Sequence, residues 1–388
     1  MGYDATDHAV DRWRDRLIGL SHSLHAEPET AFAEHRSVVK LADLLRAADF
    51  DVRDNACDLP TALTATYGRG DLTIGICAEY DALPGIGHAC GHNVICAAAA
   101  GAAIGLRAIA DAHRFRIKLL GTPAEESGGG KQLMLERGAF DDVTVAMMAH
   151  PAPSADAAGP GDSTQAASRF EVTYRGRPSH AAAAPWLGVN AADAAVVAQV
   201  AIGLLRQQTP PAYRVAGFVR SGGEKTNIIP ERCVLEYEVR APTSEQLRPF
   251  RRRVEECFEA GALAAGANVS FRSMEPEYLD LRNDPWLIAA YAAHLPDFGR
   301  VAVATGAHSA STDMGNISHV VPSIHPMIGL RGVTATPHTH EFTAHTATPA
   351  ADEALIHAAK LLARTGYDLA TNASARADFI TRHTTRTA

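Results

Sequence analysis

The chain has 388 residues, 46% hydrophobic and 21% charged, which is long enough for two cores and too apolar for a disordered protein. Its net charge of −8 at pH 7 argues against broad binding to nucleic acid or to an anionic membrane. The six cysteines form no Cys-x-x-Cys pair, and the N-terminus is polar, without the apolar core of a signal peptide. Both features favour the reducing cytoplasm as the location.

Helices and short strands alternate through the first 150 residues. Apolar side chains at Trp13, Leu17, Leu20 and Leu24 share one helical face, and a second helix is predicted over 34–48. The apolar run from Val94 to Leu106 is too short to span a bilayer and predicts a buried helix. The alternation predicts an α/β sheet with helices on both faces. The predicted strands are 63–67, 72–78, 115–120 and 143–148.

The pattern changes near Ala167 and changes back near Leu279. The order between them is β-α-β-β-α-β, which resembles a ferredoxin-like module. We therefore expect an α+β domain at 167–279, inserted into a first domain made of 1–166 and 280–388, with a last helix over 352–364. The predicted elements of the insertion are 168–175, 191–207, 214–220, 234–240, 244–264 and 269–273.

Side chains that can bind a metal occur where the predicted strands end. Asp81 follows one strand, Glu125 and Glu126 follow the next, and His150 follows another. In open α/β sheets, ligands bind at the carboxyl ends of strands, so this common placement predicts a site.

Five candidate ligands offer thiolate, imidazole and carboxylate groups, which suit divalent transition metals such as zinc. Two metal ions about 3.5–4 Å apart can clamp a water and a scissile carbonyl, and they need about five ligands, one of them bridging. The competing interpretation treats the cysteine as a small buried hydrophobic residue and His150-Pro151 as a turn. The joint occurrence of the set favours the metal site. The five are Cys90, His92, Glu126, His150 and His338.

Glu125 and Glu126 are adjacent, so in an extended segment their side chains point in opposite directions. One can then bind metal while the other faces the substrate as a general base. The alternative is a solvated acidic turn. The glycines that follow do not make a phosphate-binding loop, because Lys131 is followed by Gln132 rather than Ser or Thr.

Six motifs, spread over nearly the whole chain, resemble the M20 family of metallopeptidases. Within it they are most similar to the amidohydrolase branch with a cysteine ligand, which includes p-aminobenzoyl-glutamate hydrolases and dipeptidases related to aminoacylase-1-like protein 2. The motifs are Glu79–Asn93, Gly121–Glu126, Gly176–Ala181, Thr226–Pro230, Ser311–Asn316 and Pro337–Thr339.

This resemblance implies a role for each candidate residue of the metal site. Cys90 bridges two metal ions, and His92, Glu126, His150 and His338 complete their ligands. Glu125 is the general base, and Asp81 orients a ligand from behind it. The last ligand stays open between His338 and His340, with His338 favoured by its spacing to Phe342. The histidines expected to be structural or on the surface are His308, His319, His325 and His345.

The resemblance also assigns residues in the inserted domain. His180 stabilises the oxyanion and reaches in from the partner subunit. Asn227 and Arg240 hold the polar end of the substrate, since the guanidinium of Arg240 suits a carboxylate.

We therefore expect a cytoplasmic homodimer, joined through the inserted lid domain, that uses two divalent ions (Zn, Mn, Co or Ni). It cleaves the amide bond of an N-acyl amino acid or a dipeptide, and it has no nucleic-acid or membrane partner. The alternatives are hydrolysis of another small aromatic amide or carbamoyl substrate, and a non-catalytic binding protein with an amidohydrolase-like scaffold.

Overall fold

The computed structural model describes residues 2–159, 161–303 and 310–387, and it divides into two compact units. The first unit contains the chain up to Ser163, the segment that begins at Leu281, and the chain from Thr312 onward. Among the described residues, the second unit contains Thr164–Asp280 together with residues 310–311. The insertion expected at 167–279 lies within this second unit.

Helices and strands are labelled in chain order over the described residues. The helices are α1 (Asp4–Ala26), α2 (His35–Ala47), α3 (His92–His113), α4 (Gly130–Glu136), α5 (Ala191–Leu205), α6 (Ser244–Ala265), α7 (Pro285–His294), α8 (Met314–Ser318), α9 (His340–His345), α10 (Pro349–Thr371) and α11 (Ala373–Thr387). The strands are β1 (Asp51–Asp54), β2 (Leu63–Gly68), β3 (Thr73–Glu79), β4 (Arg116–Thr122), β5 (Val145–Met147), β6 (His150–Pro153), β7 (Ala166–Arg175), β8 (Arg214–Ser221), β9 (Arg232–Ala241), β10 (Asn268–Ser273), β11 (Ser323–Ile324) and β12 (Met327–Leu330).

The first unit is built on a mixed sheet in the order β1-β2-β4-β3-β5-β11. The central strands β4, β3, β5 and β11 are parallel, while β1 and β2 are antiparallel to their neighbours. A separate parallel pair joins β6 to β12. Every residue of β3 is buried, as expected for a central strand that is covered on both faces. The predicted α/β fold with a mixed sheet is confirmed.

Helix α3 forms the centre of this core and packs against α1, α10 and the strands β3 and β4. Small residues allow the close approach, because a Cβ added at Gly101 would lie 2.8 Å from the Ala359 Cβ of α10. By length and composition α3 could cross a membrane, yet 89% of its most apolar window is buried inside the protein. It is therefore a core helix, as the Ala-rich sequence predicts.

The second unit has an antiparallel sheet in the order β10-β7-β9-β8, with α5 and α6 packed against it. Its own core surrounds Phe170, Tyr174 and Phe258. The predicted β-α-β-β-α-β succession and the ferredoxin-like topology are confirmed.

The C-terminal region differs from the sequence expectation. Helix α10 begins at Pro349, which fits the first turn of a helix, and it runs to Thr371 instead of ending at 364. A further helix, α11, follows it directly. The short strands β11 and β12 were not predicted because two to four residues carry no recognisable period.

Candidate metal centre

Several candidate residues of the first unit follow the carboxyl ends of parallel strands in its sheet. Strands β3 and β4 are parallel, so their carboxyl ends lie side by side. Asp81 follows the end of β3, and Glu125 follows the end of β4. Helix α3 starts at His92, and β6 starts at His150.

Cys90 is shared by two groups of potential metal ligands. In one group, Cys90, His92 and His150 offer ligand atoms that all lie within 4.8 Å of one another. In the other, Cys90, Glu126 and His338 do the same. The thiol is the member common to these two groups, which is the arrangement a bridging ligand between two ions requires.

His92 is oriented by Asp81 from behind. Its Nδ1 lies 2.9 Å from the Asp81 carbonyl oxygen and 3.0 Å from Asp81 Oδ1. With the Nδ1 proton donated to these oxygens, Nε2 is left for a metal ion, and this buried atom has no hydrogen-bond partner among the described residues. The other carboxylate oxygen, Asp81 Oδ2, accepts the Glu126 backbone N–H at 3.0 Å, so one side chain positions two predicted ligands.

His150 is held in the neutral form that a metal ligand needs. Its Nδ1 donates to the Pro151 carbonyl oxygen at 2.7 Å, which leaves Nε2 for coordination. Burial, with the nearby His325 and His92 rings, lowers the pKa of His150 to about 3. The His92 and His150 rings are 5.9 Å apart, centroid to centroid.

His338 reaches the site from the loop before α9. Its Nε2 lies 2.8 Å from Cys90 Sγ and 3.6 Å from Glu126 Oε2. Its backbone has a φ of 65° and its N–H donates to the Ala89 carbonyl at 2.9 Å. This left-handed conformation is uncommon outside glycine and occurs often at functional sites. His340 begins α9 and belongs to none of the ligand groups found among the described residues, so the geometry favours His338.

The two glutamates do not lie in an extended segment, so the expectation that they point in opposite directions is wrong. They form a turn after Ala124, whose φ is 58°, and their carboxylates approach the same imidazole. Glu125 Oε2 is 3.7 Å from His92 Nε2, and Glu126 Oε1 is 3.9 Å from it. The chain turns before Glu125 because the backbone of Ala124 is left-handed. The Ala124 N–H donates to Glu34 Oε1 at 2.9 Å.

The surroundings of the Glu125 carboxyl disfavour its charged form. Burial, followed by the negative charges of Glu79 and Glu126, raises the pKa of the Glu125 carboxyl well above its usual range. Metal cations bound beside it would lower that pKa again.

The remaining predicted site residues belong to the second unit. His180 and Asn227 are exposed and adjacent, since the Ala181 N–H donates to the Asn227 carbonyl oxygen at 3.0 Å. The His180 Nδ1 accepts the Ala182 and Ala183 N–H groups at 3.2 and 3.0 Å, so Nε2 remains available. Arg240 is half-buried, and its Nε donates to Glu238 Oε1 at 2.8 Å.

The structure adds buried charged residues that the sequence did not assign to the site. The Lys131 ammonium contacts both Glu79 and Asp313, and all three side chains are fully buried. His325 is buried with its ring 5.5 Å from that of His150, while His319 and His345 are half-buried. His308 lies outside the described residues.

The donor set fits two divalent cations. Thiolate, imidazole and carboxylate donors converge, and a buried imidazole nitrogen of His92 has no hydrogen-bond partner among the described residues. Burial opposes a charged His92, yet Asp81 and Glu79 raise its pKa well above the usual value, which indicates a strongly negative site. Such an excess of buried negative charge is stabilised by bound cations.

Comparison with known proteins gives the same assignment at the level of the family. Residues 75–367 match the sequence profile of peptidase family M20/M25/M40. The Xaa-Arg dipeptidase of Mus musculus is 39% identical over 379 residues, covering 93% of this chain and 87% of the relative. One of the p-aminobenzoyl-glutamate hydrolase subunits of Escherichia coli is 31% identical over 292 residues, covering 70% of this chain and 60% of the relative.

Among solved structures, a dinuclear metal binding peptidase from the M20 family of Bacillus subtilis superimposes with a TM-score of 0.70. It is 22% identical, and the match covers 93% of this chain and 99% of that one. This likeness shows that the fold is shared.

Proposed function

Because the chain belongs to peptidase family M20/M25/M40, we propose that Cys90 bridges two divalent metal ions at which the amide bond of a substrate is hydrolysed. The chain is an enzyme of the hydrolase class that acts on amide bonds, and its substrates are dipeptides or N-acyl amino acids. The observation that carries the proposal is the position of Cys90 in two ligand groups, one with His92 and His150 and one with Glu126 and His338.

The proposed ions are Zn, Mn, Co or Ni, because thiolate and imidazole donors suit borderline transition metals. Bound there, two such ions would polarise the substrate carbonyl and make water acidic enough to supply hydroxide near neutral pH. Asp81 would keep His92 and Glu126 in place through the contacts described above.

Glu125 would move the proton. Its carboxylate is buried and, in the proposal, faces the reacting water, takes its proton, and delivers it to the leaving amine when the amide bond breaks. His180 would donate from Nε2 to the carbonyl oxygen as negative charge develops on it. Asn227 and Arg240 would hold the polar end of the substrate, with Arg240 exchanging its contact with Glu238 for the substrate carboxylate.

A dipeptide with a C-terminal arginine is the first substrate to test, because the Xaa-Arg dipeptidase of mouse is 39% identical over most of both chains. We expect metal-loaded protein to cleave at least one substrate in a panel of Xaa-Arg dipeptides, other dipeptides, N-acetyl amino acids and p-aminobenzoyl-glutamate. Release of free amine measures the rate. If none of these compounds is cleaved and other aromatic amides or carbamoyl compounds are, that result would replace the proposed substrate class. Binding of amino acids without any cleavage would indicate a non-catalytic protein.

We also propose that two copies associate through the second unit. Val196, Val200 and Leu204 follow one another at intervals of four residues on α5, with 59%, 60% and 69% of their surface exposed. Strand β8 lies at the end of its sheet, and Phe218 on it is 55% exposed. An exposed apolar stripe on a helix and a strand at the end of a sheet each suit a second copy of the same unit, because an isologous contact would cover them.

In such a dimer His180 is proposed to serve the metal centre of the partner subunit. His180→Ala and Glu125→Gln proteins are each expected to be nearly inactive. After random subunit exchange in an equal mixture, about half of the dimers are mixed and each holds one complete site, so about a quarter of the wild-type activity is expected. Activity assays on the mixture, with exchange followed by a tag on one variant, measure this.

A mixture that exchanges subunits and stays inactive would show that His180 acts within its own chain or does not act in catalysis.

Location in the cytoplasm is also a proposal, supported by six cysteines that are all free thiols.

A further inference from the structure

A fully buried lysine lies beside the metal centre. Lys131 is the second residue of α4, and its Nζ is 2.5 Å from Glu79 Oε1 and 2.6 Å from Asp313 Oδ1. The Lys131 backbone N–H also donates to Asp313 Oδ2 at 2.8 Å. None of the three side chains has measurable exposure to solvent.

These carboxylates converge with the proposed base. Oxygen atoms of Glu79, Asp313 and Glu125 all lie within 4.8 Å of one another, a spacing that could hold a cation. The second oxygen of Glu79, Oε2, has no hydrogen-bond partner among the described residues and lies 3.5 Å from His92 Nε2. Glu79 is thus close to becoming an additional ligand of the ion that His92 would bind.

Three buried carboxylates at this distance repel one another strongly unless a positive charge lies among them. Lys131 is fully buried, so its ammonium is a cation that the chain itself supplies to Glu79 and Asp313. It contacts one oxygen of Glu79 and one of Asp313, while the Glu125 carboxylate lies 3.7 Å from His92 Nε2.

We propose that Lys131 is a positioning residue of the metal centre, whose ammonium takes the place of a third cation among the carboxylates of Glu79, Asp313 and Glu125. It holds Glu79 out of the ligand set of the two metal ions and keeps the Glu125 carboxylate beside His92. This inference rests on the proposed two-metal site, and it adds a residue to which neither the sequence motifs nor the ligand groups give a role.

The test is the metal content and thermal stability of Lys131→Met, equilibrated with Mn²⁺ and compared with wild type. Removal of the ammonium leaves three oxygen ligands for a hard cation, so we expect about three ions per chain where wild type holds about two. The melting temperature of Lys131→Met is expected to rise with Mn²⁺ concentration beyond the wild-type response. The value of kcat is expected to fall about tenfold or more with KM little changed, because Glu125 is drawn toward the new ion.

Three control variants separate this role from ordinary stabilisation. Lys131→Arg keeps the positive charge and is expected to hold two ions. Lys131→Met combined with Glu79→Gln and Asp313→Asn removes the carboxylates that would bind the third ion, and the extra uptake of Mn²⁺ is expected to disappear. Lys118 pairs with Asp142 at 2.7 Å, and neither residue belongs to a ligand group found among the described residues. Lys118→Met is therefore expected to change neither metal content nor activity.

Two results would overturn the inference. One is a Lys131→Met protein that binds as many ions as wild type and shows no added stabilisation by Mn²⁺. The other is a Lys131→Met protein that stays unfolded at every Mn²⁺ concentration, since a third cation would then be unable to replace the ammonium. A wild-type protein that binds no metal at all would instead remove the proposed function itself.

Discussion

Replacement of Glu125 by glutamine is expected to leave the fold and the metal content unchanged and to lower kcat by about two to four orders of magnitude. The amide of glutamine keeps the size of the side chain and cannot take a proton from water at neutral pH. Single-turnover and steady-state rates on a dipeptide substrate, together with metal analysis of the same sample, measure both parts of the expectation.

The matched control is the neighbouring residue. Glu126→Gln is expected to lose metal, because the Glu126 carboxylate lies in the ligand group of Cys90 and His338. If Glu125→Gln loses metal and Glu126→Gln keeps it while losing turnover, the two roles are exchanged. Both carboxylates lie within 4 Å of the same His92 nitrogen, so the mutants are the decisive comparison.

Cys90→Ser is expected to weaken the binding of both ions and to lower activity at limiting metal by about 100-fold or more, since serine is a poor substitute for a bridging thiolate. If the Cys90 thiolate binds only one of the two ions, Cys90→Ser would lose that ion and keep the other. Isothermal titration of metal-free protein with Zn²⁺ or Co²⁺ counts the sites and gives their affinities.

The control for this experiment is Cys96→Ser, which alters another buried cysteine, on α3, that belongs to none of the ligand groups among the described residues. It is expected to retain both ions. A Cys90→Ser protein with wild-type metal stoichiometry and activity would exclude the bridging role.

Much of the fold was predictable because long elements carry strong periodic signals. The apolar run within α3, the buried strand β3 and the alternation along β7 each specify their own structure. The helices α8 and α9 have only five and six residues, which is too short for a helical period to be recognised. Their conformation depends on packing against distant parts of the chain.

The convergence of the candidate ligands was predictable for a different reason. Cysteine, histidine and glutamate follow the ends of parallel strands, and topology alone brings such positions together. The direction of Glu125 and Glu126 was not predictable, because it depends on a left-handed φ of 58° at Ala124. Alanine gives no sign of that conformation in a sequence.

Lys131 shows the limit of sequence reasoning most clearly. Its position after three glycines suggested only a comparison with phosphate-binding loops. Its partners come from the end of β3 and from the residue before α8, which lie 52 and 182 residues away along the chain. No spacing rule joins such positions, so a buried charge cluster of this kind becomes visible only in three dimensions.

The central claim is a two-ion amide hydrolase, and one titration tests it most directly. Metal-free protein is reloaded with Zn²⁺, Mn²⁺ or Co²⁺ in steps, and bound metal and hydrolysis of an Xaa-Arg dipeptide are measured on each sample. We predict that activity is absent without metal and reaches its maximum at about two ions per chain. Full activity in metal-free protein, or a maximum reached with one ion per chain, would contradict the account.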